Sequence, residues 1–268
     1  MKIVLLGCGN LITSIFEGVA RDKSLLKQNS FFTYTPSSVR AIKLANILEG
    51  KHVESLDSLP SQDIYLFGFK PQAYSQAIVE YQKIIPAGAQ IWSVLAGISC
   101  AQIEKDFPNN SILRIMPNIC SKIAQGINLF LHTSNFPQKG LECFHQLFGS
   151  IGQSYKMSSD DELDFVTGVS GSGPALIFNF LHTLERSLDQ SNLDKDQIKN
   201  IVLELALGSV NLYKESKDED LLSLKEKVTS KKGVTQRALE IYSKHKLDKI
   251  TREAIEAAYT RSIELRSE

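Results

Sequence analysis

What this sequence lacks first is an excess of charge of either sign. Its 30 Lys and Arg balance 30 Asp and Glu, for a formal net charge of zero. Nucleic acid and anionic membrane surfaces both attract a basic excess, so neither is indicated as a partner. No apolar run comes near the ~20 residues of a membrane span. Lys2 and the apolar run behind it resemble a signal peptide only faintly, because the run is short and no cleavage pattern follows. Cysteine is sparse, and Cys8, Cys100, Cys120 and Cys143 have neither metal-ligand nor redox-pair spacing. They read as free thiols in a reducing compartment, which points to the cytoplasm. Cys8 sits in a turn where modification would be easy. His52, His132, His145, His182 and His245 find no partner in the sequence. Asp160-Asp161-Glu162 reads as the acidic start of a helix rather than a metal site, so no metal is expected.

What is present is an ordinary globular composition, 43% hydrophobic and 22% charged, in 268 residues. That is room for one large or two modest domains. The chain opens with a continuous apolar run, Ile3 to Leu6, then Gly7-Cys8-Gly9-Asn10, then Ile12, Ile15, Phe16 and Val19 at helical spacing. A buried strand, a tight turn and an amphipathic helix fit this order, as at the opening of a dinucleotide-binding βαβ unit. Gly7 allows the turn, and Gly9 allows close approach of a pyrophosphate to the helix start. The third glycine of the fingerprint is replaced by Ile12, which implies altered packing of helix on strand. A strand–helix turn that binds no nucleotide remains the alternative. Phe31 to Tyr34 reads as the second strand. It ends in Thr35-Pro36-Ser37-Ser38 with Arg40 beyond, and no carboxylate stands there to repel a ribose 2′-phosphate. NADPH is therefore favoured over NADH; a Ser/Pro helix cap beside a solvated arginine is the alternative.

Val39, Ile42, Ala45 and Leu48 suggest a short helix, and Val53 a third strand. Further strands are expected at 64–67, 90–94, 112–116, 126–131 and 154–156. Ala77, Ile78, Tyr81 and Ile85 mark one intervening helix, and Leu141, Phe144 and Leu147 another. The strand ends at Gly68-Phe69-Lys70-Pro71 and Leu95-Ala96-Gly97 lie where open α/β sheets bind ligands, and the small residues there suit a flat nicotinamide ring. From about Asp160 helical patterns take over. Gly168 to Ala175 looks like a helix break, followed by a long buried helix through Leu176, Phe178, Leu181 and Leu184. The expected organisation is an α/β, Rossmann-like dinucleotide-binding domain over residues 1–158 and an all-α domain over 159–268. So small and apolar a helical domain is expected to complete its core by dimerising.

Several stretches together resemble the pyrroline-5-carboxylate reductase family: Gly7-Cys8-Gly9-Asn10, Tyr34-Thr35-Pro36-Ser37, Lys70-Pro71, Ala96-Gly97, Met116-Pro117-Asn118 and Gly168 through Ala175. The resemblance implies reduction of a cyclic imine to L-proline with NAD(P)H. It also implies a homodimer, which in that family is often built up into rings of dimers. By the resemblance, cofactor contacts fall on Gly7, Cys8, Gly9, Asn10, Leu11, Ile12, Thr35, Ser37, Ser55, Gly68, Phe69, Lys70, Pro71, Leu95, Ala96, Gly97 and Asn118. The family's substrate loop maps onto Ser230-Lys231-Lys232-Gly233-Val234-Thr235. Ser230, Gly233, Val234 and Thr235 are then substrate-binding, with Thr235 the residue closest to a catalytic role. The family's Pro-Gly pair is here Lys231-Lys232, and a lysine in place of a glycine with positive φ is strained.

For that reaction a protonated imine is already electrophilic, so the enzyme's work is mostly placement. The substrate carboxylate needs an anion grip, which the loop's N–H and hydroxyl groups can supply. A plain helix cap at Ser230 or Thr235 fits the bare octapeptide equally well. Two other functions remain open. One is a catalytically impaired NADP-binding paralogue, motivated by Lys231-Lys232 and Ile12. The other is a related reductase acting on another imine or a 3-hydroxy acid, for which Lys195 or Lys199 is a weak catalytic candidate.

Overall fold

The computed structural model describes residues 1–265. In chain order the first part runs β1 (Lys2–Leu6), α1 (Asn10–Val19), α2 (Lys23–Gln28), β2 (Ser30–Tyr34), α3 (Ser38–Ile47), β3 (Lys51–His52) and β4 (Ile64–Phe67). It continues α4 (Tyr74–Ile84), β5 (Gln90–Ser93), α5 (Cys100–Asp106), β6 (Ser111–Pro117), β7 (Gly126–His132), α6 (Gln138–Gly149), β8 (Gly152–Lys156) and α7 (Asp160–Ser170). The strands form one sheet in the order β3-β2-β1-β4-β5-β6-β7-β8. Every neighbouring pair is parallel except β6 and β7. Strand order reverses beside β1, so the crevice past the ends of β1 and β4 is the switch point of the sheet.

Alternation along the strands divides the core between the two faces. Ile3 and Leu5 join Ile12, Ile15, Phe16, Val19, Leu44, Trp92, Phe144 and Phe148 on one side. Val4 and Leu6 join Tyr65, Phe67, Ile78, Tyr81, Ile103 and Phe107 on the other. The expected face of α1 is buried throughout, but that of α3 differs. Val39 and Ile42 are exposed, and the helix packs through Ala41, Leu44, Ala45 and Leu48 instead. Those four follow the i, i+3, i+4, i+7 rule, which 39 and 42 do not share in phase. The third strand is the short pair Lys51–His52, with Val53 just after it.

Beneath the far half of the sheet lies a buried ion cluster that the sequence did not announce. Arg114 on β6 is fully buried. Its guanidinium donates to Asp160 at 2.5 Å and to Asp164 at 2.6 Å. The Cys100 backbone N–H also donates to Asp160, at 3.1 Å. Asp160 does stand in the first turn of a helix, with Ser159 as the cap, and it is also the counter-ion of β6. Leu163 of the same helix is buried with Met116 and Leu129.

The remaining helices are α8 (Gly173–Arg186), α9 (Lys195–Glu215), α10 (Leu221–Lys227), α11 (Val234–Lys244) and α12 (Leu247–Glu264). The chain divides into two compact units. One comprises residues 1–174 with the stretch from Glu256 onward, and the other Ala175–Ile255. This places α7 and the end of α12 with the sheet, whereas the sequence suggested a division at 158. The expected long buried helix at Leu176 to Leu184 is not buried: α8 has no buried residue, and Phe178 is 61% exposed. On the 21-residue α9 only Val202 is buried, while Leu205, Leu207, Val210 and Leu212 are exposed. Nothing in the helical unit itself covers these apolar side chains.

Removing the Arg114 guanidinium takes away the buried counter-charge that both Asp160 and Asp164 contact. Arg114→Met is expected to cost about 3–5 kcal/mol in urea unfolding, and the combined change with Asp160→Asn and Asp164→Asn to cost markedly less.

Candidate functional site

At the switch point, Gly7 has φ +99°, and its N–H donates to the Tyr34 carbonyl at 2.8 Å. A side chain there would run into the backbone of Phe69. Gly9 is the residue before α1. No side chain caps that helix, and its first turn carries no acid. A Cβ on Gly9 would find no protein atom nearer than 3.9 Å. The helix start therefore offers unpaired N–H groups, positive partial charge and open space, the requirements of a phosphate cradle.

Ile12 occupies the place of the missing third glycine. Its side chain is buried and lies where a Cβ on Gly68 would have to go. The small residue that lets helix and strand approach has moved from the helix to the end of β4. Cys8 is buried, with its sulfur 4.0 Å from the Leu5 carbonyl and 3.9 Å from that of Tyr34. Burial pushes its thiol up to about 12. The easy modification expected of Cys8 is thus contradicted, because the group is neutral and enclosed; its backbone alone faces the turn.

Around this turn lie the other expected contacts. Thr35 is half-buried at the end of β2, and Ser37 and Arg40 are exposed. Ser37 precedes α3 without capping it, and that helix too has no acid in its first turn. The Ser55 hydroxyl is engaged locally, accepting from the Asp57 N–H at 3.2 Å. After β4, Phe69 packs its ring against Phe67 and Tyr81, with centroids 5.6 and 5.5 Å apart. Lys70 is exposed and Pro71 opens a short 3₁₀ turn. After β5, Leu95 is buried in the core, which leaves its backbone for a ligand. Gly97 has φ +75°, and a Cβ on it would meet the Leu265 side chain at 2.7 Å, so the chain past α12 lies directly on this loop. The Asn118 amide donates to the Ser170 carbonyl at 3.0 Å and accepts from the Ile127 N–H at 3.2 Å.

One feature here escaped the sequence reading. A cavity of about 240 Å³ beside α1 is lined by Asn10, Thr13, Glu17, Arg40, Lys43 and Lys122, among others. The spacing of Arg40 and Lys43, one helical turn, was the signal for it. Among the described residues no three His, Cys, Asp or Glu side chains are grouped to hold a metal ion.

The other expected site lies in the helical unit. Gly233 precedes α11, again with no side-chain cap and no acid in the first turn. The Gly233 N–H donates to the Ser230 carbonyl at 2.9 Å, which curls the loop under the helix start. Val234 and Thr235 are exposed at that start. Lys232 has φ +60°, and its N–H donates to the Gln236 side chain at 2.6 Å. The strain expected of a lysine at a glycine position is therefore present. Lys195 and Lys199 are exposed on α9.

Residues 160–265 match the family described as pyrroline-5-carboxylate reductase dimerisation. A protein of Staphylococcus haemolyticus named pyrroline-5-carboxylate reductase is 29% identical over 270 residues, covering 99% of this chain and 98% of that one. A reductase of the same name from Pasteurella multocida is 26% identical, covering 97% and 96%. Among solved structures, a pyrroline carboxylate reductase of Plasmodium falciparum with NADP bound aligns at TM-score 0.86 and 22% identity, over 99% of this chain and 98% of that one. A 1-pyrroline-5-carboxylate reductase of Streptococcus pyogenes aligns at TM-score 0.86 and 24% identity, over 98% of each. At such identities the two structures speak for the fold.

Gly68→Ala is expected to destabilise by about 1–3 kcal/mol through overpacking, and Ile12→Ala by about 2–5 kcal/mol through a cavity. Because the two compete for one space, the double variant should fall short of the sum by at least about 1 kcal/mol in urea unfolding. Lys232→Gly should raise unfolding stability by about 1 kcal/mol, since it removes the left-handed strain.

Proposed function

We propose that the chain, whose residues 160–265 match the pyrroline-5-carboxylate reductase dimerisation family and which resembles reductases of that name along its length, reduces 1-pyrroline-5-carboxylate to L-proline with NADPH, NADH serving less well. The observation that carries this reading is twofold. The likeness to curated reductases runs the length of the chain, and the helix starts at Gly9 and Gly233 are both left open by the chain's own side chains.

When bound, NADPH supplies the hydride that converts the C=N bond to an amine. The residues present suit such a cofactor. Gly7 to Ile12 hold a pyrophosphate on the N–H groups that open α1. Thr35, Ser37 and Arg40 receive a 2′-phosphate where a carboxylate would repel it. The loops Gly68 to Pro71 and Leu95 to Gly97, with Ser55 and Asn118, border the same strand ends. Ser230, Gly233, Val234 and Thr235 bind the substrate carboxylate, with Thr235 offering both N–H and O–H. Hydroxyl and backbone donors set the ring's orientation, and orientation is most of the catalysis. The exposed apolar faces of α8 and α9 support a homodimer, and assembly of dimers into a larger ring extends the same reading. Four free cysteines fit a cytoplasmic location.

A second reading rests on Lys232. Its strained conformation favours a relative that binds NADP but turns over poorly. Purified protein given the cyclic imine should oxidise NADPH faster than NADH, followed by nicotinamide absorbance. Thr235→Ala should lower kcat/KM about ten- to a hundredfold, the worth of a hydrogen bond to a charged group. Oxidation of neither nicotinamide overturns the first reading. Activity that appears only after Lys231→Pro and Lys232→Gly establishes the second.

A further inference from the structure

We infer that Lys43 is a specificity-determining residue, which together with Arg40 forms a dianion site for the 2′-phosphate of the cofactor. The inference rests on the cofactor reading given above. It is carried by the cavity beside α1, about 240 Å³ in volume, which shares Asn10 with the glycine turn and Arg40 with the first turn of the helix that follows β2. Its wall holds three cations, Arg40, Lys43 and Lys122, and one carboxylate, Glu17. Glu17 is taken by Lys122 at 3.2 Å. Arg40 and Lys43 have no ion-pair partner among the described residues, and α3 contains no acid. Two like charges three residues apart on one helix repel each other. A group carrying close to two negative charges near neutral pH relieves that repulsion, and a phosphate monoester is such a group. The cavity adjoins the position where the βαβ fold seats the adenosine ribose, past the end of β2. Arg40 supplies a planar fork for two phosphate oxygens, and Lys43, one turn on, a compact charge for the third. A nicotinamide cofactor without the 2′-phosphate presents only hydroxyls there and leaves both cations unmatched.

The test uses the full-length protein. Lys43→Gln is expected to lower the ratio of kcat/KM for NADPH to that for NADH about five- to tenfold, with a smaller drop as salt is raised. Lys43→Arg should retain most of the ratio. In titration calorimetry, Lys43→Gln should weaken adenosine 2′,5′-bisphosphate by a similar factor, while adenosine 5′-monophosphate shows no such loss. An unchanged ratio and unchanged bisphosphate affinity in Lys43→Gln, with the unmodified protein active, overturns the role of Lys43 and leaves the reductase reading standing. An unmodified protein that neither turns over nor binds either nucleotide overturns the cofactor reading, and this inference with it.

Discussion

A guanidinium cut off from water constrains the larger unit. Burying the Arg114 guanidinium on β6 demands counter-charge from elsewhere. Asp160 and Asp164, one turn apart on α7, supply it, and the N–H that opens α5 shares one of those carboxylates. Sheet, α5 and α7 are thereby one body. At the other end of α7 the Ser170 carbonyl receives the Asn118 amide. The loops that follow β5 and β6 are thus anchored beneath the rim where a ligand binds in this class of sheet. Precise placement of a flat ring needs supports of this kind.

The pattern of helix starts separates structure from candidate function. α2, α5, α7, α9 and α10 are each closed by a side chain: Asp22, Ser99, Ser159, Asp194 and Asp220. α1, α3 and α11 have no such cap and no acid in the first turn. α4 and α6 also lack side-chain caps, but α4 continues a 3₁₀ turn and α6 follows Pro137. An uncapped helix preceded by glycine or serine leaves donors available to an anion. Among these helix starts, α1, α3 and α11 are those to which we assign the cofactor and the substrate carboxylate.

Much of this was legible in the sequence. The continuous apolar run Ile3 to Leu6 and the spacing of Ile12 to Val19 marked β1 and α1, because burial on two faces and on one stripe leave different patterns. The strands at 64–67, 90–94 and 112–116 were as clear. The face of α3 was misjudged because Val39 and Ile42 are apolar yet sit on the solvent side. α2 and α5, at six and seven residues, were too short to show a period. The pairing of Ile12 with Gly68, the neutralisation of Arg114 and the basic cavity all join residues distant in sequence, which no local pattern encodes. Lys232 was legible only by likeness: without a glycine known at that place, a lysine gives no sign of left-handed backbone.

Residues from both sides of the helical excursion make up the sheet unit: the chain leaves it after Pro174 and returns at Glu256. Leu265 of the returning segment lies against Gly97. During synthesis, therefore, the sheet can form early, but the loop after β5 stays uncovered until the ribosome has released the last helix. In between, the apolar faces of α8 and α9 emerge with nothing of their own to cover them. Such a chain passes through a stage in which sticky surface is at its greatest while the fold is topologically unfinished, the circumstance in which holding chaperones matter most.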